Sequence, residues 1–238
     1  MVADTLADEI DRELRARGTP ERATKEKTYL KSGLEHYGVT VPDLRSVTKA
    51  VGRKHGPLGH DQLVAAVTEL WAVPVHERRM AAVELLDQNV AGLRSRDIKL
   101  LEQLLRESRT WALVDSLAAS VVGNLVERDP KLGTVLDRWA TDADFWIRRS
   151  ALLALLGGLR RGEGDFDRFS RYADAMLEEK EFFVRKAIGW VLRETAKKRP
   201  ELVYEWVLPR ASRASGVTLR EAVKPLSEAQ RKAVLSAR

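Results

Sequence analysis

One carboxylate and two indoles stand out by type and spacing. Trp111 and Asp115 lie four residues apart in Trp111-Ala112-Leu113-Val114-Asp115-Ser116. That spacing is about one helical turn, which puts both side chains on one face. Trp190 occupies an equivalent place later in the chain, within Val184-Arg185-Lys186-Ala187-Ile188-Gly189-Trp190-Val191-Leu192. Arg109, Arg148, Arg149, Arg185, Lys186 and Arg193 crowd around these stretches. An ionised carboxylate can stabilise positive charge and can orient or deprotonate a water. Indole faces attract cations through the ring quadrupole, by about 0.5–2 kcal/mol each. Lysine and arginine supply affinity for phosphates by releasing counterions. Plainer readings stay open for each residue alone. Asp115 could cap the helix running on from Ser116, a tryptophan at helical spacing is commonly core, and the arginines could form a solvated face. Trp71, Trp139 and Trp206 are assigned to the core. The joint occurrence of carboxylate, indoles and arginines fits a site better than a core.

These residues must be positioned by helices. Apolar residues recur at three- and four-residue spacing, as in Leu6 to Leu14, Leu63 to Trp71 and Ile98 to Leu105. Glycine and proline fall mainly between such segments, and Pro20, Pro42 and Pro130 sit at or near first helical turns. The pattern predicts roughly a dozen helices of about 10–18 residues. Four segments resemble one another when aligned on Ala81, Asp115, Ala151 and Ala187, with steps of 34, 36 and 36 residues. A period in the mid-thirties predicts an all-α helical solenoid of HEAT-like antiparallel helix pairs, with the second helix of each pair lining a concave face. Asp115 replaces alanine at the aligned position. Trp111 and Trp190 lie on the same stripe, at offsets −4 and +3 from it. No composition shift marks a linker, so residues 1–238 read as one domain, with only the basic tail after Gly216 loose.

Composition narrows the class. The chain has 238 residues, net charge +6 and no cysteine. Disulfides, iron–sulfur clusters and thiolate metal sites are thereby excluded. His36, His55, His60 and His76 show no paired metal spacing, so neither a metal nor a cofactor is expected. The longest apolar runs fall far short of a membrane span, and the acidic N-terminal residues do not read as a signal segment. These features predict a cytoplasmic protein. The modest basic excess permits a polyanionic partner.

Several stretches resemble the HEAT-repeat DNA glycosylases of the alkylation-repair family (AlkD type). The most distinctive runs from Glu181 to Glu194; Trp111 to Ser116 and Trp146 to Ala151 are shorter. Tyr29-Leu30-Lys31 and Tyr37 to Arg45 resemble the family's N-terminal segment, so the likeness covers roughly residues 20 to 225 in order. The resemblance implies a right-handed solenoid whose concave face binds DNA. It implies Asp115 as the catalytic carboxylate, with Trp111 and Trp190 cradling the damaged nucleotide. Arg149 would hold the DNA backbone with Arg148 beside it, and Tyr29 would lie near the lesion. Lys31, Arg45, Arg185, Lys186 and Arg193 complete the expected DNA contacts.

The implied reaction is hydrolysis of the N-glycosidic bond of a cationic N3- or N7-alkylated purine in double-stranded DNA. Such a base is already a good leaving group, so one carboxylate beside the sugar can suffice. The resemblance implies that the base stays unflipped, and no wedge or pocket-forming domain is evident in the sequence. No Schiff-base lysine stands on the stripe, which predicts a monofunctional enzyme that leaves an abasic site. A monomer is expected to suffice. Two other readings remain: a non-catalytic nucleic-acid binder on the same scaffold, and a protein-interaction scaffold.

Overall fold

The computed structural model describes residues 4–238; Met1 to Ala3, which begin the N-terminal stretch read above, lie outside it. The described residues form helices and turns and no β-strand, beyond an isolated bridge between Glu35 and Val75. They cluster as two compact units that divide between Leu117 and Ala118. The division falls inside a continuous helical run, where no glycine, proline or polar linker marks it.

The first unit contains α1 (Leu6–Arg17), α2 (Pro20–Leu30), α3 (Val41–His55), α4 (His60–Ala72), α5 (His76–Gln88), α6 (Ile98–Ser108) and α7 (Trp111–Ser116). Its core is built where α1, α3, α4 and α5 pack together, with Ile10, Leu14, Leu44, Leu70 and Leu85 sealed from solvent. The three-residue link from α4 to α5 returns the chain antiparallel, as in a helical repeat. Thr5 caps α1 with a reciprocal bond to Asp8, and Thr40 caps α3 by accepting from the Asp43 N–H. Proline stands in the first turn of α2 and α3, where its missing N–H costs nothing. α2 buries none of its residues. Gly38 (φ +80°) lies against the start of α2, where a Cβ would come within 2.2 Å of the Thr19 carbonyl oxygen. Only glycine combines that conformation with so close an approach.

The second unit opens on a π-helical stretch, Leu117–Val122, that begins in the first. It continues through α8 (Gly123–Arg128), α9 (Gly133–Trp139), α10 (Phe145–Leu153), α11 (Leu156–Arg161), α12 (Phe166–Ala175), α13 (Phe182–Ala196), α14 (Pro200–Val207), α15 (Gly216–Ala222) and α16 (Glu228–Ser236). α13 is the hub, packed against α10, α11, α14 and α15. Gly189 makes the closest of these approaches possible: a Cβ there would lie 2.8 Å from Glu221 Cβ and 2.9 Å from the Thr218 carbonyl oxygen.

Two expectations need correction. Several helices are shorter than the periodicity predicts; α11 has six residues, and α9 and α15 have seven each. Gly157, Gly158 and Gly162 break the pattern around α11. The segment after Gly216 is not loose. It forms α15 and α16, and Thr218, Leu219, Glu221 and Ala222 are buried. Its basic residues conceal an amphipathic stripe that packs on α13.

The repeat period is visible in side-chain bonds. Trp71 Nε1 donates to Glu107 at 2.8 Å, 36 residues on. In the second unit Tyr172 donates to Asp137, Lys186 to Glu221, Trp206 to Ser170 and Arg210 to Asp174, at separations of 35 to 36 residues. Equivalent positions of successive helix pairs are thus tied rung by rung.

Candidate nucleic-acid interface

Asp115 and Trp111 share the exposed side of α7. Both are half-buried, whereas Leu113 and Val114 between them are sealed in the core. α7 holds that division because its apolar side packs on α5 and α6. Thr110 ends the preceding turn in extended conformation, and Arg109 before it takes the left-handed conformation (φ 45°) that breaks α6 from α7. The Tyr29 ring, 72% exposed on α2, meets the Trp111 indole edge-on with centroids 6.0 Å apart. Tyr29, Trp111 and Asp115 therefore stand together on the first unit. Lys31 is exposed at the left-handed C-cap of α2. Arg45 is exposed on α3 and paired at 2.8 Å with the nearly buried Glu84.

The second unit carries the remaining candidates. Trp190 is half-buried on α13. Neither its indole N–H nor that of Trp111 has a hydrogen-bond partner among the described residues. By contrast, the buried Trp71 and Trp206 donate to Glu107 and Ser170 at 2.8 and 2.7 Å. Together with the fully buried Trp139, those two are core residues, as the sequence reading has them. Trp111 and Trp190 are built differently, with indole surface left to solvent.

The arginines and lysines are largely engaged within the protein. Arg148 grips both carboxylate oxygens of Glu179 at 2.7 and 2.8 Å and donates to the carbonyls of Asp142 and Ala143. Arg149 is only 3% exposed and donates to the Phe183 carbonyl. Its guanidinium lies 5.9 Å from the Phe183 ring, beside an aromatic cluster of Phe145, Trp146 and Phe183. Arg185 donates to the Glu179 carbonyl. Lys186 and Arg193 converge on Glu221. Burial alone raises the Glu221 pKa, but the hydrogen bonds from Lys186 and Lys224, with the charges of Lys186 and Arg193, bring it down to about 2. Glu84, Glu179 and Glu221 are the acidic counterparts that sequence reasoning missed. A pairing partner about 30 to 40 residues away leaves no local motif.

A second grouping was also invisible in the sequence. Glu26 of α2, His36 and His76 each bring one possible metal-ligand atom within 4.8 Å of the others. The His36 and His76 rings stack with centroids 4.6 Å apart and planes 10° from parallel. Burial pushes both imidazoles down, His76 to about 4, with the neighbouring His36 charge adding to the effect there. Next to them, the buried Glu77 carboxylate accepts from the backbone N–H groups of Tyr37, Gly38 and Val39 at 2.9, 2.6 and 3.1 Å.

The described residues are all-helical, and bonds spaced by 35 to 36 residues tie successive helix pairs, which is the architecture of a helical-repeat protein. Residues 10–226 match the family model described as DNA alkylation repair enzyme, and the chain belongs to that family. Among solved structures it is similar to a predicted DNA alkylation repair enzyme from Enterococcus faecalis. The TM-score is 0.80 at 23% identity, over 89% of this chain and 98% of that one. AlkD2 from Streptococcus mutans aligns with TM-score 0.56 at 16% identity, over 94% of this chain and all of the other. At these identities the likeness is one of fold. No curated protein matches the chain.

Proposed function

We propose that this protein is a monofunctional DNA glycosylase that removes cationic N3- and N7-alkylated purines, such as 7-methylguanine and 3-methyladenine, from double-stranded DNA. The observation that carries the reading is the exposed side of α7. There Asp115 and Trp111 stay half-open to solvent beside Tyr29, above a core that seals Leu113 and Val114. A family role in alkylation repair supplies the substrate class.

The alkylated base carries a positive charge and needs little acid assistance to leave. As the glycosidic bond breaks, positive charge grows on the sugar. The Asp115 carboxylate stabilises that charge and orients or deprotonates the attacking water. The Trp111 indole packs on the lesion nucleotide through its face, with Tyr29 against its edge, and Trp190 offers a second indole face to the DNA. Lys31 and Arg45 meet the backbone, with Arg185, Lys186 and Arg193, each supplying affinity through counterion release. Arg148 and Arg149 act chiefly by fixing the 142–149 and 179–183 segments from which backbone contacts are made. The base remains unflipped, and the product is an abasic site in an uncut strand. In this reading the chain works in the cytoplasm as a monomer and as one repeat domain. Among the described residues no helix is long and apolar enough to cross a membrane.

The test is release of free base from a duplex carrying N7-methylguanine. Wild type should release it, and Asp115→Asn should bind the same duplex yet release base at least about 10²-fold more slowly. Equal release by both proteins would remove Asp115 from the chemistry. Release by neither, from 7-methylguanine or 3-methyladenine duplexes, would leave a DNA-binding protein without this activity. Borohydride trapping of a covalent adduct would overturn the monofunctional assignment.

A further inference from the structure

We propose that Glu26, His36 and His76 form a binding site for a first-row divalent transition metal, of which zinc is the best fit, and that the ion ties α2 to α5. The geometry points there for four reasons.

The first is satisfaction. Glu26 Oε2, both ring nitrogens of His36 and Nδ1 of His76 are buried and have no hydrogen-bond partner among the described residues. Folded proteins pair the large majority of such atoms, because each one left alone forfeits its hydration with nothing in return. Four in one place call for a common polar partner. The second is proximity. His36 Nδ1 lies 4.0 Å from Glu26 Oε2, and the side chains are 1% and 17% exposed. That is too far for a hydrogen bond and close enough for two ligands of one ion. A tetrahedral ion with bonds of about 2.0–2.1 Å separates its ligands by about 3.3 Å. Closing the present spacing needs a contraction of about 0.7 Å between His36 and Glu26 and of up to about 1.5 Å for the widest pair, with rotation of one imidazole out of the parallel stack.

The third is chemistry. Two imidazole nitrogens and one carboxylate oxygen suit zinc and its neighbours; magnesium and calcium prefer sets made of oxygen. A dication would face Glu26 and Glu77 as anions, with Arg22, 3.3 Å from Glu26 Oε1, as the opposing charge. Glu77 already orders the 37–39 backbone and so serves as a fixed outer anion. The fourth is position. α2 buries none of its residues and bears Glu26 three residues before Tyr29. His76 begins α5, and its N–H is bonded to the Glu35 carbonyl at 2.8 Å. An ion held by Glu26, His36 and His76 would anchor the least-embedded helix of the unit to its central one.

The experiment is titration of chelator-treated full-length protein with Co2+, followed by displacement with Zn2+. Expected are visible d–d bands that saturate at one equivalent and vanish when zinc is added. Zinc a hundredfold above Kd should raise the unfolding midpoint by about 5–10 °C. His36→Asn and Glu26→Gln should each lose the bands; Glu26→Gln is the safer variant for folding, because its side chain is partly open. His60→Gln should keep them, since His60 is already held by Asp61 and Asp97. Wild type without saturable bands would overturn the proposal, as would bands that survive in a folded Glu26→Gln or disappear in His60→Gln. The titration uses no DNA, so its failure would leave the glycosylase reading untouched, and failure of base release would leave the metal site standing.

Discussion

Replacing Glu221 by glutamine should remove a block of acid-sensitive stability. The carboxylate is nearly buried and accepts from Lys186 at 2.6 Å, from Lys224 at 2.9 Å and from Arg193. Its pKa stands at about 2 in the folded chain. An unfolded glutamate titrates near about 4.3, and each unit of difference is worth about 1.4 kcal/mol, which sets a ceiling of about 3 kcal/mol. Lys186 and Lys224 are 41% and 55% exposed, so solvent screens the cluster. A contribution of about 1–2 kcal/mol is the working figure. The folded pKa lies below the unfolded one. The contribution is therefore complete above about pH 4.3 and is lost as the pH falls towards about 2. Urea unfolding at stepped pH values across that window should show wild type losing about 1–2 kcal/mol more than Glu221→Gln. Added salt should shrink the gap. Parallel loss in the two proteins would refute the argument that ion pairing at Glu221, rather than acid expansion of the whole molecule, carries the effect.

Other outcomes follow from the same packing. Gly189→Ala should destabilise by about 1–3 kcal/mol despite alanine's better helix propensity, because its Cβ meets Glu221 Cβ and the Thr218 carbonyl oxygen; an unchanged melting temperature would contradict the close approach of α13 and α15. Trp206→Phe, which loses the bond to Ser170, should cost about 1 kcal/mol in denaturant titrations. Trp111→Phe should change stability by less than about 0.5 kcal/mol while slowing base release, since no protein partner depends on its N–H. Glu221→Gln should also remove the negative charge beside Lys186 and Arg193 and so strengthen their hold on phosphate. Tighter duplex binding at a fixed salt concentration would register that change.

Much of the architecture was legible because it repeats. Apolar spacing gave the helical class, and the alignment on Ala81, Asp115, Ala151 and Ala187 gave the period that the Trp71–Glu107 and Tyr172–Asp137 bonds display. Trp111 and Asp115 were legible because one turn of helix fixes their shared side whatever surrounds them. Less could be read where tertiary partners decide. Arg148 looks like a free cation until Glu179, 31 residues away, takes both sides of its guanidinium. Arg149 likewise turns inward to the Phe183 carbonyl. The tail after Gly216 looks loose because its buried residues, such as Leu219, Ala222, Leu226 and Val234, are scattered among charges. Glu26, His36 and His76 are separated by intervals of 10 and 40 residues, which belong to no ligand motif and acquire meaning only when α2, its following loop and α5 meet.

The rungs between neighbouring repeats bear on how the chain is made. Each of the bonds from Trp71, Tyr172, Lys186, Trp206 and Arg210 closes a loop of 35 to 36 residues. A ribosome adding about 5–20 residues per second supplies such a loop in about 2–7 s. A helix pair therefore waits only seconds after synthesis for the next pair to cover its apolar face, and no rung depends on the far end of the chain. Assembly can run in the order of translation, with little exposed hydrophobic surface at any moment. A single-residue deletion inside a helix would turn the rest of that helix by about 100° and point its buried stripe away from its partner. Removing a whole period would leave the remaining rungs in register, so this fold should tolerate loss or gain of complete repeats far better than small insertions inside one.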